Sequence, residues 1–330
     1  MSNKPGAPAT RSFRLDPFII ALLIAAALGL LLPAQGAVAT AVNFLKVAAI
    51  ALLFFLQGVR LERAAVIHGM THWRLQLLTL ASTFVLFPIL GFGLYLAAPG
   101  FLSESLWLGV LFLCALPSTV QSSIAFTSIA RGNVPAAVCA ATASNLLGIV
   151  ITPLLVALLL KRTSDISPLE QIEAIVLQLL VPFIAGQVVS RWLRPWAKRH
   201  SALLSITDRG SIVLVVYAAF SAAVLAGAWS ALKPIELGKI LALSAVLLAI
   251  VLLFTRFASR ALGFSKPDEI AVVFCGSKKS LATGVPMANI LFPATLVGLA
   301  ILPIMIFHQL QLMVCAVLAR RYAERPETDE

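Results

Sequence analysis

Charge is what this sequence has least of. Only 12% of its 330 residues are Asp, Glu, Lys or Arg, against about 25% in ordinary soluble domains. Sixty per cent are hydrophobic and the mean hydropathy is +0.98, so polar side chains are too few to clothe a water-soluble globule of this size. A water-soluble enzyme is thereby excluded. Acidic residues are scarcer still, 14 against 25 Lys and Arg, and they fall at the ends of apolar runs, between them or in the C-terminal tail. The basic residues sit in short clusters between those runs and not along one arm or helix face. That distribution argues against a nucleic-acid partner and for anchoring at the cytoplasmic face of a lipid bilayer. Cys114, Cys139, Cys275 and Cys315 all lie inside apolar runs. With none in a hydrophilic loop, no disulfide framework is implied.

What the sequence has in quantity is hydrophobic length. Apolar runs of about 20 residues cross the hydrocarbon of a bilayer. Bounded by charge, Pro and Gly, such runs lie at 17–33, 38–58, 75–98, 105–128, 135–160, 169–190, 211–230, 238–258, 268–292 and 295–318. The expectation is an all-α membrane protein with ten transmembrane helices. The first run follows Lys4, Arg11 and Arg14 and precedes Ala37-Val38-Ala39, an arrangement that secretory signals share; a first membrane span accounts for it equally well and is the reading adopted. Eighteen of the 25 Lys and Arg fall in segments on the N-terminal side of the membrane, four on the other side and three within spans. Both termini are therefore expected in the cytoplasm, in a multi-pass protein of the plasma (inner) membrane. Ten spans divide into five and five, so the second half enters from the opposite face. The chain then reads as a single membrane domain over 1–330, with inverted five-helix repeats at 15–160 and 161–320 and a cytoplasmic tail at 321–330.

In each half the fourth run is interrupted, by Leu116-Pro117-Ser118-Thr119-Val120-Gln121-Ser122-Ser123 and by Cys275-Gly276-Ser277-Lys278-Lys279-Ser280-Leu281-Ala282-Thr283-Gly284. A broken helix strands backbone N–H and C=O groups that lipid cannot satisfy, so it survives only inside protein or along a wet cavity. Interrupted spans at matching positions of two halves are the best sequence pointer to a transporter's binding site. Ser118, Thr119, Gln121, Ser122 and Ser123 at one break, and Ser277, Lys278, Lys279, Ser280 and Thr283 at the other, are the candidate ion- and substrate-binding groups. Back-bonding of Ser and Thr to carbonyls at a Pro kink explains one or two of these but not both clusters. The turn Ala130-Arg131-Gly132-Asn133-Val134-Pro135 reads as a tight hairpin into the fifth span, which brings Thr142, Ser144 and Asn145 close to the first break; these three serve equally well as glue between helices.

Lys278 and Lys279 are the most informative residues. A lysine near the bilayer midplane costs about 2.5–3.5 kcal/mol on insertion scales, which argues for a use. Every acidic residue falls at a span end, in a loop or in the tail, so none stands at depth to neutralise them. They must pair with freed carbonyls, lose their protons or meet an anion brought from outside; reaching an interface by snorkelling is the plainer alternative. Lys46, about eight residues into its span, snorkels more easily. His308, with Gln309 and Gln311 on the tenth run, lines a cavity or bonds across helices. His68 and His72 stand four apart without Cys or carboxylate nearby and read as a solvated face, so no metal is expected beyond a possible sodium ion.

The ten-span plan and its two breaks, together with Ala130-Arg131-Gly132-Asn133-Val134 and Ser277-Lys278-Lys279-Ser280-Leu281-Ala282-Thr283-Gly284-Val285-Pro286, resemble the bile acid:sodium symporter family and, within it, the SBF-like branch of sodium-dependent transporters. The resemblance runs from about residue 15 to 320. It implies that the broken fourth and ninth helices cross. Spans three to five and eight to ten would form a core domain, the others a panel domain, with two sodium sites behind the crossing. By that resemblance the family's Ser-Asn pair falls on Ser122 and Ser123, its fifth-span ligands near Thr142, with Ser144 and Asn145 just beyond, and a third-span Gln near Thr83. Its bridging ninth-span Glu has no counterpart, Cys275 or Ser277 standing there, and Lys279 stands in place of a Gln ligand. A buried ammonium can take the electrostatic place of a bound cation, and a desolvated lysine gives up its proton readily enough to couple transport to a proton gradient.

The function expected is a secondary transporter, a cation-coupled symporter of a small organic anion or amphipathic solute, working by alternating access. Two other classes compete. One is a non-transporting membrane sensor or regulator of ion homeostasis. The other is an intramembrane enzyme, which would need a buried Asp pair or a Ser nucleophile with a base such as His308.

Overall fold

A computed structural model describes residues 17–60, 72–159, 176–225, 227 and 233–325. These residues form helices and connecting turns, with no strand among them. In chain order they are α1 (Pro17–Leu31), α2 (Gly36–Arg60), α3 (Trp73–Ala97), α4 (Glu104–Ala115), α5 (Val120–Ile129), α6 (Val134–Leu159), α7 (Val176–Arg199), α8 (Ser201–Leu225), α9 (Pro234–Ala261), α10 (Lys266–Gly276), α11 (Leu281–Leu291) and α12 (Ala294–Ala323). Seven of these are long and apolar enough to cross a membrane, and α4 with α5, bent by 59° at their junction, makes an eighth. The remaining runs fall short for physical reasons. α1 has 15 residues, and the α10–α11 pair carries Asp268, Glu269, Lys278 and Lys279 in its apolar stretch.

Several boundaries differ from those read off the apolar runs. α8 starts at Ser201, ten residues before the apolar run at 211, because helix propagates through the polar turn containing Thr207, Asp208 and Arg209. α12 continues to Ala323, beyond the expected start of a tail, with Tyr322 buried and its hydroxyl donating to Glu269 Oε1 at 3.1 Å. α9 begins at Pro234, whose missing N–H costs nothing at a first turn, and the Glu236 carboxylate accepts from the Lys233 N–H. The residues 169–175 of the sixth run and His68 lie outside the described residues.

The helices sort by their contacts into two groups. α1 packs on α8, and α2 on both α7 and α8. Gly58 of α2 and Gly186 of α7 let the two backbones touch: a Cβ at Gly58 would collide with the Phe183 carbonyl, and one at Gly186 with the Phe55 carbonyl. Close approach at small residues is how helices associate in lipid, where no hydrophobic force separates them from the solvent. Helices α3 to α6 and α9 to α12 form the second group, in which α10 is buried by α3, α5, α6 and α9. α8 touches the second group at α11 and α12. Between the groups lies a cavity of about 1190 Å³. All four cysteines are buried and none is joined in a disulfide.

Candidate functional site

Four helix ends meet where the breaks cross. α4 stops at Ala115 and α5 resumes at Val120; α10 stops at Gly276 and α11 resumes at Leu281. The Ser280 N–H donates to the Pro117 carbonyl at 2.9 Å, so each break supplies a main-chain partner for the other. Buried backbone groups must be paired, and here the carbonyls of the first break can be followed one by one. Cys114 O and Leu116 O accept from Lys279 Nζ at 2.8 and 2.7 Å, Ala115 O from Thr152 Oγ1 at 2.8 Å, and Ser118 O from Asn145 Nδ2 at 2.6 Å. The Ser118 N–H, whose intrahelical acceptor would have been Cys114 O, donates to Ser144 Oγ at 3.0 Å. Ser144, Asn145 and Thr152 thus present one face of α6 to the break. Gly148 on that face lies against Pro117, and a Cβ there would come within 2.7 Å of the proline ring.

The second break is answered by the first. Ser118 Oγ donates to Cys275 O at 2.6 Å and Ser123 Oγ to Phe274 O at 3.0 Å, filling acceptors at the C-terminus of α10. Gln311 of α12 pairs with the Lys279 peptide in both directions, its Oε1 accepting from Lys279 N and its Nε2 donating to Lys279 O, each at 2.9 Å. His308 Nδ1 lies 2.9 Å from the same Gln311 Nε2. Ser280 caps α11 by accepting from the Thr283 N–H, and Thr283 Oγ1 donates to Asn145 Oδ1 at 2.9 Å. Ser277 turns back to Val273 O at 2.6 Å, the local bond open to any helical serine.

Both lysine side chains are fully buried, which removes the snorkelling alternative. Lys278 Nζ donates to Ser122 O at 2.8 Å and lies over the rings of Phe126 and Phe274, 4.0 and 5.3 Å from their centroids. Lys279 Nζ donates to Thr83 O, Cys114 O and Leu116 O at 2.7, 2.8 and 2.7 Å, and lies 4.2 Å from the Phe87 ring centroid. The Thr83 carbonyl is available because α3 contains a π turn over Ser82–Leu86, in which the Phe87 N–H reaches back to Ser82 O. In that register residue 88 would serve Thr83 O, and residue 88 is a proline without an N–H.

The candidate residues therefore divide. Thr119, Gln121, Ser122, Thr142, Asn145, Ser280, Thr283 and His308 line the cavity; Ser118, Ser123, Ser144, Ser277, Lys278, Lys279 and Thr83 lie behind them or in the crossing itself. Sequence reasoning missed the π turn and the rings of Phe87, Phe126 and Phe274. Pro88 following Ser82-Thr83 was the available signal for the turn; the rings are indistinguishable from ordinary core residues in a linear reading. Also in the cavity lining, Arg60 makes a two-pronged pair with Asp208, at 2.6 and 2.9 Å, and Arg209 and Arg320 are the other charged residues there. Asn133 was read only as a turn residue. Its Oδ1 caps α6 at the Ala136 N–H while its Nδ2 donates to Asp268, tying the hairpin to the start of α10.

Helical throughout its described residues, with two broken helices crossing beside a polar-lined cavity, the chain has the form of a membrane transporter. It belongs to the SBF-like CPA transporter family, whose model matches residues 16–324. A Pseudomonas aeruginosa protein, "Uncharacterized protein PA2026", is 55% identical over 311 residues, covering 94% of this chain and 93% of its own. "Putative symporter YfeH" of Escherichia coli is 52% identical over 313 residues, covering 95% and 94%. More distantly, sodium/bile acid cotransporter 7 of the mouse is 28% identical over 280 residues, covering 82% and 80%.

Sodium, which such kinship brings into question, does not fit the donors at this crossing. The three converging carbonyls are already taken by an ammonium. The buried Glu269 is held at the start of α10 by Arg260, Lys266 and Tyr322, and Glu236 by the Ser103 and Lys233 N–H groups.

Proposed function

We propose that this protein is a secondary active transporter, a cation-coupled symporter of a small organic anion or amphipathic solute that works by alternating access. The proposal takes α1, α2, the α3 helix, the α4–α5 pair, α6, α7, α8, α9, the α10–α11 pair and α12 as ten spans, with inverted repeats over 15–160 and 161–320. One observation carries the choice of solute. The first turns of both α5 and α11 line a single cavity, through Thr119, Gln121 and Ser122 on one and Ser280, Ala282 and Thr283 on the other. A helix N-terminus carries positive partial charge and unpaired N–H groups, and two converging on one space favour an anionic group there. The opposite wall, with Phe18, Leu53, Phe183 and Ile212, suits an apolar body. The name of one relative, sodium/bile acid cotransporter 7, supports the same solute class.

The lining residues Arg60, Arg209 and Arg320 belong to the basic segments, so by the positive-inside rule the cavity opens to the cytoplasm of an inner-membrane protein with both termini inside. Rocking of α1, α2, α7 and α8 about the α8 contacts with α11 and α12 would close that mouth and open the other side. The Arg60–Asp208 pair joins α2 to α8 and would travel within the moving group.

The reading is tested by screening sterol acids, keto acids and lipid-precursor phosphates for thermal stabilisation, then loading the best binder into proteoliposomes. Counterflow of labelled ligand is expected, along with uptake driven by an imposed pH gradient whether or not sodium is present. Strict sodium dependence that persists in Lys279→Gln would reject the lysine as the coupling group. A tight binder that never exchanges across the membrane would move the protein to the sensor class.

A further inference from the structure

Lys279 is more than a buried lysine that has found partners. An ammonium has three N–H bonds, and each of the three here meets a backbone carbonyl at charge-assisted distance, 2.7, 2.8 and 2.7 Å. The carbonyls come from separate places: the π turn of α3, the last turn of α4 and the first residue of the break. On the remaining side lies the Phe87 ring, 4.2 Å from Nζ, whose negative face suits a cation. Converging carbonyls are how main chain holds a desolvated monovalent cation. Each of these acceptors has been freed by a departure from regular helix, so the cradle is built by the backbone independently of the lysine that fills it.

We propose that this cradle is a monovalent-cation site whose cation is covalently supplied by the chain, protonated Lys279 holding the place that a diffusible ion would otherwise occupy. The crossing is therefore assembled without sodium. The inference concerns what holds the two breaks together and stands whether or not the chain transports a solute.

Two consequences are measurable on the purified full-length protein in detergent. Wild-type thermal unfolding should be unchanged when sodium chloride is replaced by potassium or choline chloride at equal ionic strength. Lys279→Ala should unfold several degrees lower, and n-propylammonium, which restores the missing ammonium on a short apolar stem, should raise it saturably toward wild type. Neutral n-propanol and the bulky tetramethylammonium should not. Sodium and potassium are the further arms, since an emptied carbonyl cradle that takes either of them in saturable fashion is a cation site by direct demonstration. Should Lys279→Ala be recoverable only when n-propylammonium is present during extraction, that dependence is the same result in another form.

The proposal is overturned if Lys279→Ala unfolds at the wild-type temperature. It is likewise overturned if neither n-propylammonium nor an alkali cation stabilises that variant saturably. If the variant cannot be recovered under any condition, the wild-type comparison decides. Saturable stabilisation by sodium over choline, abolished in Lys279→Gln, would show that the crossing uses a diffusible ion after all.

Discussion

The two breaks lie against each other and do opposite jobs. The first, 116–119, has no charge and gives mainly acceptors: its carbonyls receive Lys279, Asn145 and the Ser280 N–H, and the adjoining Ala115 carbonyl of α4 receives Thr152, while Ser118 Oγ returns a donor to Cys275 O at the end of α10. The second, 277–280, gives donors, because it carries both lysines and the Ser280 N–H. Neither arrangement is stable in lipid alone. Stranded carbonyls at the C-terminus of α4 carry partial negative charge, and two ammoniums carry whole positive charge, so each break neutralises what the other cannot bury. The difference explains how a pair of lysines survives at depth without a carboxylate partner. It also places the first turns of α5 and α11, rather than the lysines, at the cavity wall.

Within the second break the two lysines differ in the same way, and that difference gives the largest expected effect. Lys279 satisfies three carbonyls, whereas Lys278 satisfies one and rests on two aromatic rings. Lys279→Met should lower unfolding stability by on the order of 3–5 kcal/mol, since each buried acceptor left unpaired costs about 1–3 kcal/mol and the three are not strictly additive. Lys278→Met should cost about 1–3 kcal/mol, from one acceptor and the loss of ring contacts. Denaturant titration of the two variants in the same micelle checks the ranking. Equal losses would mean that the breaks are held by charge alone and not by the number of acceptors each ammonium serves.

From the first break's side, Asn145 is the residue whose amide links both breaks. Its Nδ2 serves Ser118 O and its Oδ1 receives Thr283 Oγ1, at 2.6 and 2.9 Å. Asn145→Leu keeps the volume, strands the Ser118 carbonyl and leaves the Thr283 hydroxyl with Ser280 Oγ as its remaining partner, so a loss of about 1–3 kcal/mol is expected. Thr283→Val removes only the hydroxyl, whose acceptor Asn145 Oδ1 is partly exposed to the cavity, and should cost less than half as much. Thermal unfolding of the two single variants and the double variant resolves their coupling; strict additivity would show that the amide serves each break independently and does not join them.

Much of this was legible in the sequence, and the limit has a physical form. Pro117 with its flanking Ser and Thr, and Gly276 with the lysines, locate both breaks because Pro and clustered polar residues interrupt an apolar run by local chemistry. That the lysines must find freed carbonyls, lose their protons or meet an anion from outside followed from the confinement of acids to the ends of the runs, the loops and the tail. What could not be read is which carbonyls. Lys279 reaches Thr83, 196 residues away in the chain, and its acceptor exists only because the π turn in α3 and Pro88 withdraw two donors from it. The early start of α8 was hidden for a different reason: Thr207, Asp208 and Arg209 break the apolar pattern without breaking the helix, and it is the pairing of Asp208 with Arg60 that gives this polar turn its place.

That pair is the mildest test of the contrast, because it joins two helices along the cavity, bonds to neither break and is partly in solvent. The Arg60 and Asp208 side chains retain 33% and 17% of their exposure. Exposed ion pairs contribute about 0–1 kcal/mol, so Asp208→Asn should change unfolding stability by less than about 1 kcal/mol, well below any variant at the crossing. Its electrostatic effect points the other way. Asp208 is the acidic member of a cavity lining that also holds Arg60, Arg209 and Arg320. Neutralising it leaves the cavity more positive by one charge, and an anion entering it should bind several-fold more tightly at low salt. The gain should shrink as added salt shortens the screening length from about 30 Å at 0.01 M to about 10 Å at 0.1 M. Ligand titration of wild type and Asp208→Asn across that salt range reads it directly. Weaker binding, or an advantage that salt leaves untouched, would mean that Asp208 acts by holding the guanidinium of Arg60 in place and not through its charge on the cavity.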